Sequence, residues 1–119
     1  MRDKANLGDK LASFDDHFSP KIVGYFNGNK IQVAKTQGEF VWHKHEVTDY
    51  FFFVLKGKLT IQLRDRDVRL SEGELFVVPR GVEHCPRADE EARLLLIEAT
   101  GTVNTGDVVS DLTAAEEEL

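Results

Sequence analysis

At 119 residues, with hydrophobic positions at 41% and charged positions at 30%, the chain is long enough for one domain with a modest core and too apolar for general disorder. Fifteen basic against 21 acidic residues leave a formal charge of -6, which argues against the positive footprint that nucleic acid or an anionic membrane surface requires. The only cysteine, Cys85, rules out an intrachain disulfide, and the longest apolar run, Phe51 to Leu55, is too short for a signal peptide or a bilayer span, so a soluble cytoplasmic protein is expected.

Leu7, Leu11, Phe14 and Phe18 recur at helical spacing, which predicts a short amphipathic helix within residues 1–20. From Ile22 to Ala99 short apolar runs alternate with turn chemistry, an all-β rhythm. Asn27-Gly28-Asn29 predicts a hairpin between Ile22 to Phe26 and Ile31 to Ala34, because Asn and Gly accept the positive φ of a tight turn. Further turns are predicted at Lys56-Gly57-Lys58, Arg64 to Asp67, Ser71-Glu72-Gly73, Pro79-Arg80-Gly81 and Ala88 to Glu91. Leu59, Ile61 and Leu63 alternate with polar residues, as a strand with one wet face should.

Phe51 to Leu55, Leu75 to Val78 and Leu94 to Ile97 are instead apolar on both faces, so one sheet needs an outer cover. A second copy of the chain, forming a homodimer, is the expected cover; the N-terminal helix alone is the alternative. Residues 21–106 are read as a single barrel. Residues 107–119 are read as an acidic tail, expected to fray because Glu116, Glu117 and Glu118 repel one another.

His43 and His45 are two residues apart, so in an extended segment both imidazoles project to one side and Lys44 to the other. They follow Gly38 and precede Tyr50, which six residues separate from Gly57. Downstream, Gly73, five residues, Pro79-Arg80-Gly81 and two more residues lead to His84. On these two motifs the chain resembles a small single-domain cupin, over roughly Gly38 to Ala99.

The resemblance implies a double-stranded β-helix, or jelly roll, in which His43, His45 and His84 converge on a divalent metal beside a small-molecule pocket. Two positions depart from the family pattern. Tyr50 stands where the family carries a ligand Glu, and Ala88 where it carries an Asn. Three neutral imidazoles leave the ion's charge uncompensated inside a barrel. The missing anion is expected from water, hydroxide or a substrate carboxylate first, from a Tyr50 phenolate second, and from Asp49 third. Tyr50 is also the acid/base candidate that the motifs supply beyond the histidines, and hence the candidate catalytic residue. Iron is the expected metal, with manganese, zinc and nickel as alternatives.

Phe52, Val54, Phe76 and Val78 are predicted to give the pocket an apolar wall. Arg80 and Arg87 are rim residues able to meet an anionic ligand, Trp42 and Cys85 are packing residues, Glu83 points outward and His17 lies on the surface. The expected function is that of a metal-dependent enzyme, dioxygenase-like or isomerase-like, acting on a small organic molecule. A non-catalytic metal or small-molecule sensor is the alternative, and a metal-free barrel filled by Tyr50 the third reading.

Overall fold

The computed structural model describes all 119 residues. It shows an all-β jelly roll preceded by one short helix: α1 (Leu7–Ala12), β1 (Lys21–Phe26), β2 (Asn29–Glu39), β3 (Tyr50–Lys56), β4 (Leu59–Leu63), β5 (Asp67–Leu70), β6 (Leu75–Val78), β7 (His84–Ala99) and β8 (Glu117–Glu118). No helix is long and apolar enough to cross a membrane.

The predicted hairpin between β1 and β2 turns at Asn27 and Gly28, both at positive φ (48° and 76°). The 16-residue β7 organises the rest. On one side it pairs with β2 almost end to end, from Asn29↔Ala99 to Glu39↔Arg87. Its other side is divided, with His84 to Arg87 opposite β4 and Leu94 to Ile97 opposite β3. Because β3 and β4 share one edge of the same strand, the sheet must curl on itself, and the curl creates an interior.

Alternation along the strands fills that interior. Tyr50, Phe52 and Val54 of β3, Leu59 and Ile61 of β4 and Ala92, Leu94 and Leu96 of β7 form the main core. The intervening residues Phe51, Phe53 and Leu55 lie on the outer face, where α1 covers part of the sheet through Leu11 against Val23 and Val33. In β2 the facing is the reverse of what polarity suggests. Ile31 and Val33 turn outward beneath α1, while Lys30, Gln32, Ala34 and Thr36 turn inward and are buried.

Two terminal expectations need correction. The helical period runs on to Phe18, but the helix ends at Ala12, where the Ser13 N–H and hydroxyl both donate to the Lys10 carbonyl. The C-terminal glutamates are not frayed. Glu116 meets the Lys30 ammonium at 3.2 Å, Glu117 meets buried Lys21 at 2.7 Å, and Glu118 pairs with Arg2 and accepts from the Tyr25 hydroxyl. Basic partners from the barrel outweigh the repulsion among like charges, and β8 adds to β1 as a parallel strand.

Deleting residues 117–119 should therefore cost about 1–2 kcal/mol, the scale of a lost charge-assisted hydrogen bond to a buried lysine. A thermal midpoint several degrees lower, measured by calorimetry, is the expected outcome; a free tail would leave it unchanged.

Candidate metal centre

His43 and His84 come together because their backbones pair. The His43 N–H donates to the His84 carbonyl at 3.0 Å and the His84 N–H returns a bond to the His43 carbonyl at 2.9 Å, an isolated bridge outside the regular strands. His45 lies beyond any strand and is fixed by the Gly81 N–H, which donates to its carbonyl at 2.8 Å. The turn after β7 presses on the same segment. The Asp107 N–H donates to the Lys44 carbonyl, the Lys44 N–H donates back to the Asp107 carboxylate, and Gly106 runs so close that any Cβ there would collide with the Lys44 carbonyl oxygen.

The side chains are set with equal care. His43 Nδ1 lies 2.8 Å from the Val41 carbonyl and His84 Nδ1 lies 3.0 Å from the Val82 carbonyl. A carbonyl oxygen can only accept, so each Nδ1 carries the proton and each Nε2 keeps its lone pair. Burial, with mutual repulsion among the three rings, holds His45 down to about 3 and His84 to about 4, and burial lowers His43 as well. All three rings are therefore neutral near pH 7, the form that binds metal.

One candidate ligand atom from each of the three histidines lies within 4.8 Å of the others. Nε2 of His45 and Nε2 of His84 are buried and have no hydrogen-bond partner. An orphaned buried polar atom costs about 1–3 kcal/mol, and a cation between these rings removes that cost. Ligand type, protonation state and mutual distance all fit a divalent ion of the borderline-soft kind.

Tyr50 is buried with its ring 4.6 Å from that of His45 and 6.4 Å from that of His84. Burial and the neighbouring Glu98 carboxylate raise its hydroxyl well above the usual range. Asp49 is exposed and turned outward, its carboxylate accepting from the Arg80 N–H at 3.0 Å. The same contact holds Arg80 away from the interior, and Arg87 reaches only toward Asp89. Glu83 points outward to Arg64, and half-buried Trp42 lies beneath the Arg64 guanidinium, 3.8 Å from its ring centre. Cys85 is buried, its thiol pushed up to about 11 by burial, and His17 lies near the surface against Glu91.

Glu98 is the residue that the motifs did not disclose. It is 1% exposed, and one oxygen accepts from the Gln32 amide at 2.9 Å and lies 3.5 Å from the Lys30 ammonium. Its other oxygen has no hydrogen-bond partner. Burial raises its carboxyl to about 7 against the opposing pull of Lys30 and Gln32. The signal was available in the register: Leu94, Leu96 and Glu98 share the inward side of β7.

Residues 30–98 match the family model described as Cupin domain, more than half of the chain, and the chain belongs to that family. It is similar to a crystal structure of a cupin-2 domain containing protein from Shewanella frigidimarina, at 42% identity and a TM-score of 0.79, over 80% of this chain and 93% of that one. Protein NMB1881 from Neisseria meningitidis is 30% identical with a TM-score of 0.75, over 82% of this chain and all of that one. Uncharacterized protein YdbB of Bacillus subtilis is 32% identical over 67 residues, 56% of this chain and only 59% of the Bacillus protein's length. KdgF from Halomonas, at 24% identity and a TM-score of 0.60, shares the fold.

The titrations of the site oppose one another. His45 and His84 have folded pKa values of about 3 and 4 against an ordinary 6.5, so the unfolded chain binds protons that the folded chain refuses, and their contribution to stability falls as pH drops from about 6.5 to 4. Glu98 goes from 4.5 to about 7, so its contribution falls as pH rises through that window. Replacing Glu98→Gln should therefore steepen the loss of stability of the metal-free protein between pH 7 and 5 in thermal melts. An unchanged slope would show that Glu98 does not titrate there.

Proposed function

We propose that His43, His45 and His84 hold a divalent metal ion, iron first and manganese, zinc or nickel next, and that the protein is a metal-dependent enzyme acting on a small organic molecule. The observation that carries this reading is the set of three neutral, buried imidazoles gathered within 4.8 Å, two of which, His45 and His84, have orphaned Nε2 atoms. When bound, such an ion supplies a Lewis acid and, where redox-active, a route to oxidation by dioxygen. The three-histidine group includes no carboxylate, so the protein contributes no charge to offset the ion there, and an anionic substrate or hydroxide is favoured at the remaining positions. Oxygenation is preferred over isomerisation, which needs a residue to shuttle protons. Tyr50 is the candidate for that role from its place against His45.

A non-catalytic sensor is the second reading, and the absence of a carboxylate from the histidine group favours it. Elemental analysis of protein purified without chelator should find metal in the wild type and none in His84→Ala, with circular dichroism unchanged between them. Oxygen uptake on a substrate panel supports the enzyme, and retained metal without turnover supports the sensor. Tyr50→Phe should lower turnover; unchanged turnover, metal affinity and absorption spectrum would reduce Tyr50 to a packing residue.

A second copy of the chain belongs to the same reading. Phe51↔Val77 and Phe53↔Leu75 are cross-strand pairs on the outer face that α1 leaves open, with Leu75 at 54% and Val77 at 40% exposure. Sedimentation should give a dimer for the wild type and a monomer for Val77→Asp.

A further inference from the structure

Beside His43 the barrel holds a cavity of about 40 Å³, whose floor is made of buried Ala34, Phe52, Leu94 and Leu96. That is room for about three water-sized groups, far less than an ordinary substrate pocket. Besides His43 and Tyr50, two polar residues line it. The Asn104 amide is fully engaged, donating to the Phe18 and Leu112 carbonyls and accepting from the Ala114 N–H. Thr36 is not engaged: it sits on the inward side of β2, and its buried Oγ1 has no hydrogen-bond partner. A buried hydroxyl without a partner has a free bond for a ligand.

The mouth of the cavity is identified by burial. Among the residues that line it, only Phe18 and Phe40 are not buried, and their rings stack at 5.0 Å. Phe40 in turn meets the His43 ring edge-on at 5.4 Å. Phe18 has φ +57°, the left-handed region that a bulky side chain avoids. It is held there by its N–H to the Lys35 carbonyl at 3.0 Å and by its carbonyl, which accepts from Asn104 at 3.1 Å. Such strain persists only where the surroundings enforce it, and strained residues gather at ligand clamps.

We propose that Phe18 and Phe40 form the gate of the metal centre and that Thr36 is its polar anchor. Together they select a small organic anion with an apolar body and one further hydrogen-bonding oxygen. This rests on the metal reading above. The anionic end faces His43, the histidine of the metal group that lines the cavity, where a bound cation lacks a compensating charge, the apolar body lies on Phe52, Leu94 and Leu96, and the second oxygen meets the Thr36 hydroxyl. A body larger than the cavity enters only when the Phe18 ring swings off Phe40.

The test uses the full-length protein loaded with Co²⁺, whose visible spectrum reports ligands at the metal, titrated with butyrate, 3-hydroxybutyrate and benzoate. Thr36→Val keeps the side-chain shape and removes the hydroxyl. Phe18→Gly removes the ring at a φ that glycine accepts without strain, which separates the gate from the fold. Cobalt stoichiometry should be the same in all three proteins. In the wild type 3-hydroxybutyrate should bind more tightly than butyrate, and Thr36→Val should lose about threefold to tenfold of that advantage, the value of one hydrogen bond. Phe18→Gly should tighten benzoate several-fold relative to butyrate. Cobalt bound while the hydroxyl advantage survives in Thr36→Val, or while Phe18→Gly leaves the size preference unchanged, would overturn the gate and anchor alone. Failure to bind cobalt would remove the metal reading and this proposal with it.

Discussion

The reciprocal main-chain hydrogen bonds between His43 and His84 are the constraint on which the site depends. They join a segment with no strand pairing of its own to the start of the longest strand in the molecule. Two imidazoles are thereby brought to one spot, and the carbonyls of Val41 and Val82 then fix which nitrogen of each ring is left free. Without the bridge the segment from Phe40 to Asp49 would be an ordinary surface loop, and its histidines would find water. With it, lone pairs are buried that nothing in the protein satisfies, a cost that a cation between the rings would relieve.

The interior is polarised along its length. At one end Lys30, Gln32 and Glu98 form a buried hydrogen-bonded group that the Glu116 carboxylate closes from outside. At the other, Phe18 and Phe40 cover an apolar cavity. The histidines and Tyr50 lie within the same interior, and the low dielectric that keeps the imidazoles neutral also raises Glu98 and Tyr50. One physical cause, exclusion of water, thus prepares the candidate metal ligands, gives the carboxyl a pKa near neutrality and makes each unpaired polar atom costly.

The segments outside the barrel serve this interior. Asp107 and Gly106 clamp the Lys44 backbone between the two neighbouring histidines, Asn104 ties the segment bearing Phe18, and the terminal glutamates neutralise lysines that the barrel buries. The C-terminal residues are thus part of what shapes the site, although none of them reaches the histidines with a metal-binding group.

Much of this was legible from local rules. The Asn27-Gly28 turn, the alternation of β4, the outward Asp49 beside an inward Tyr50 and the pairing of His43 with His45 follow from φ preferences and a side-chain period of two. The motif spacing then brought in His84. What local rules could not supply was facing: Lys30 and Gln32 alternate with Ile31 and Val33, and only the docking of α1 on the outer face decides that the polar pair turns inward. The same holds for Phe18, whose helical spacing ends in a strained turn over the barrel mouth, and for three adjacent glutamates that a charge count alone would set free in water. Sequence by itself determined most of the strands and turns and the candidate ligands, because these depend on near neighbours in the chain; the turn expected at Ala88 to Glu91 is instead the middle of β7, which its pairing with β2 on either side of that stretch keeps extended. Tertiary structure alone decided which polar groups are buried without a partner, because burial depends on what packs from a distance.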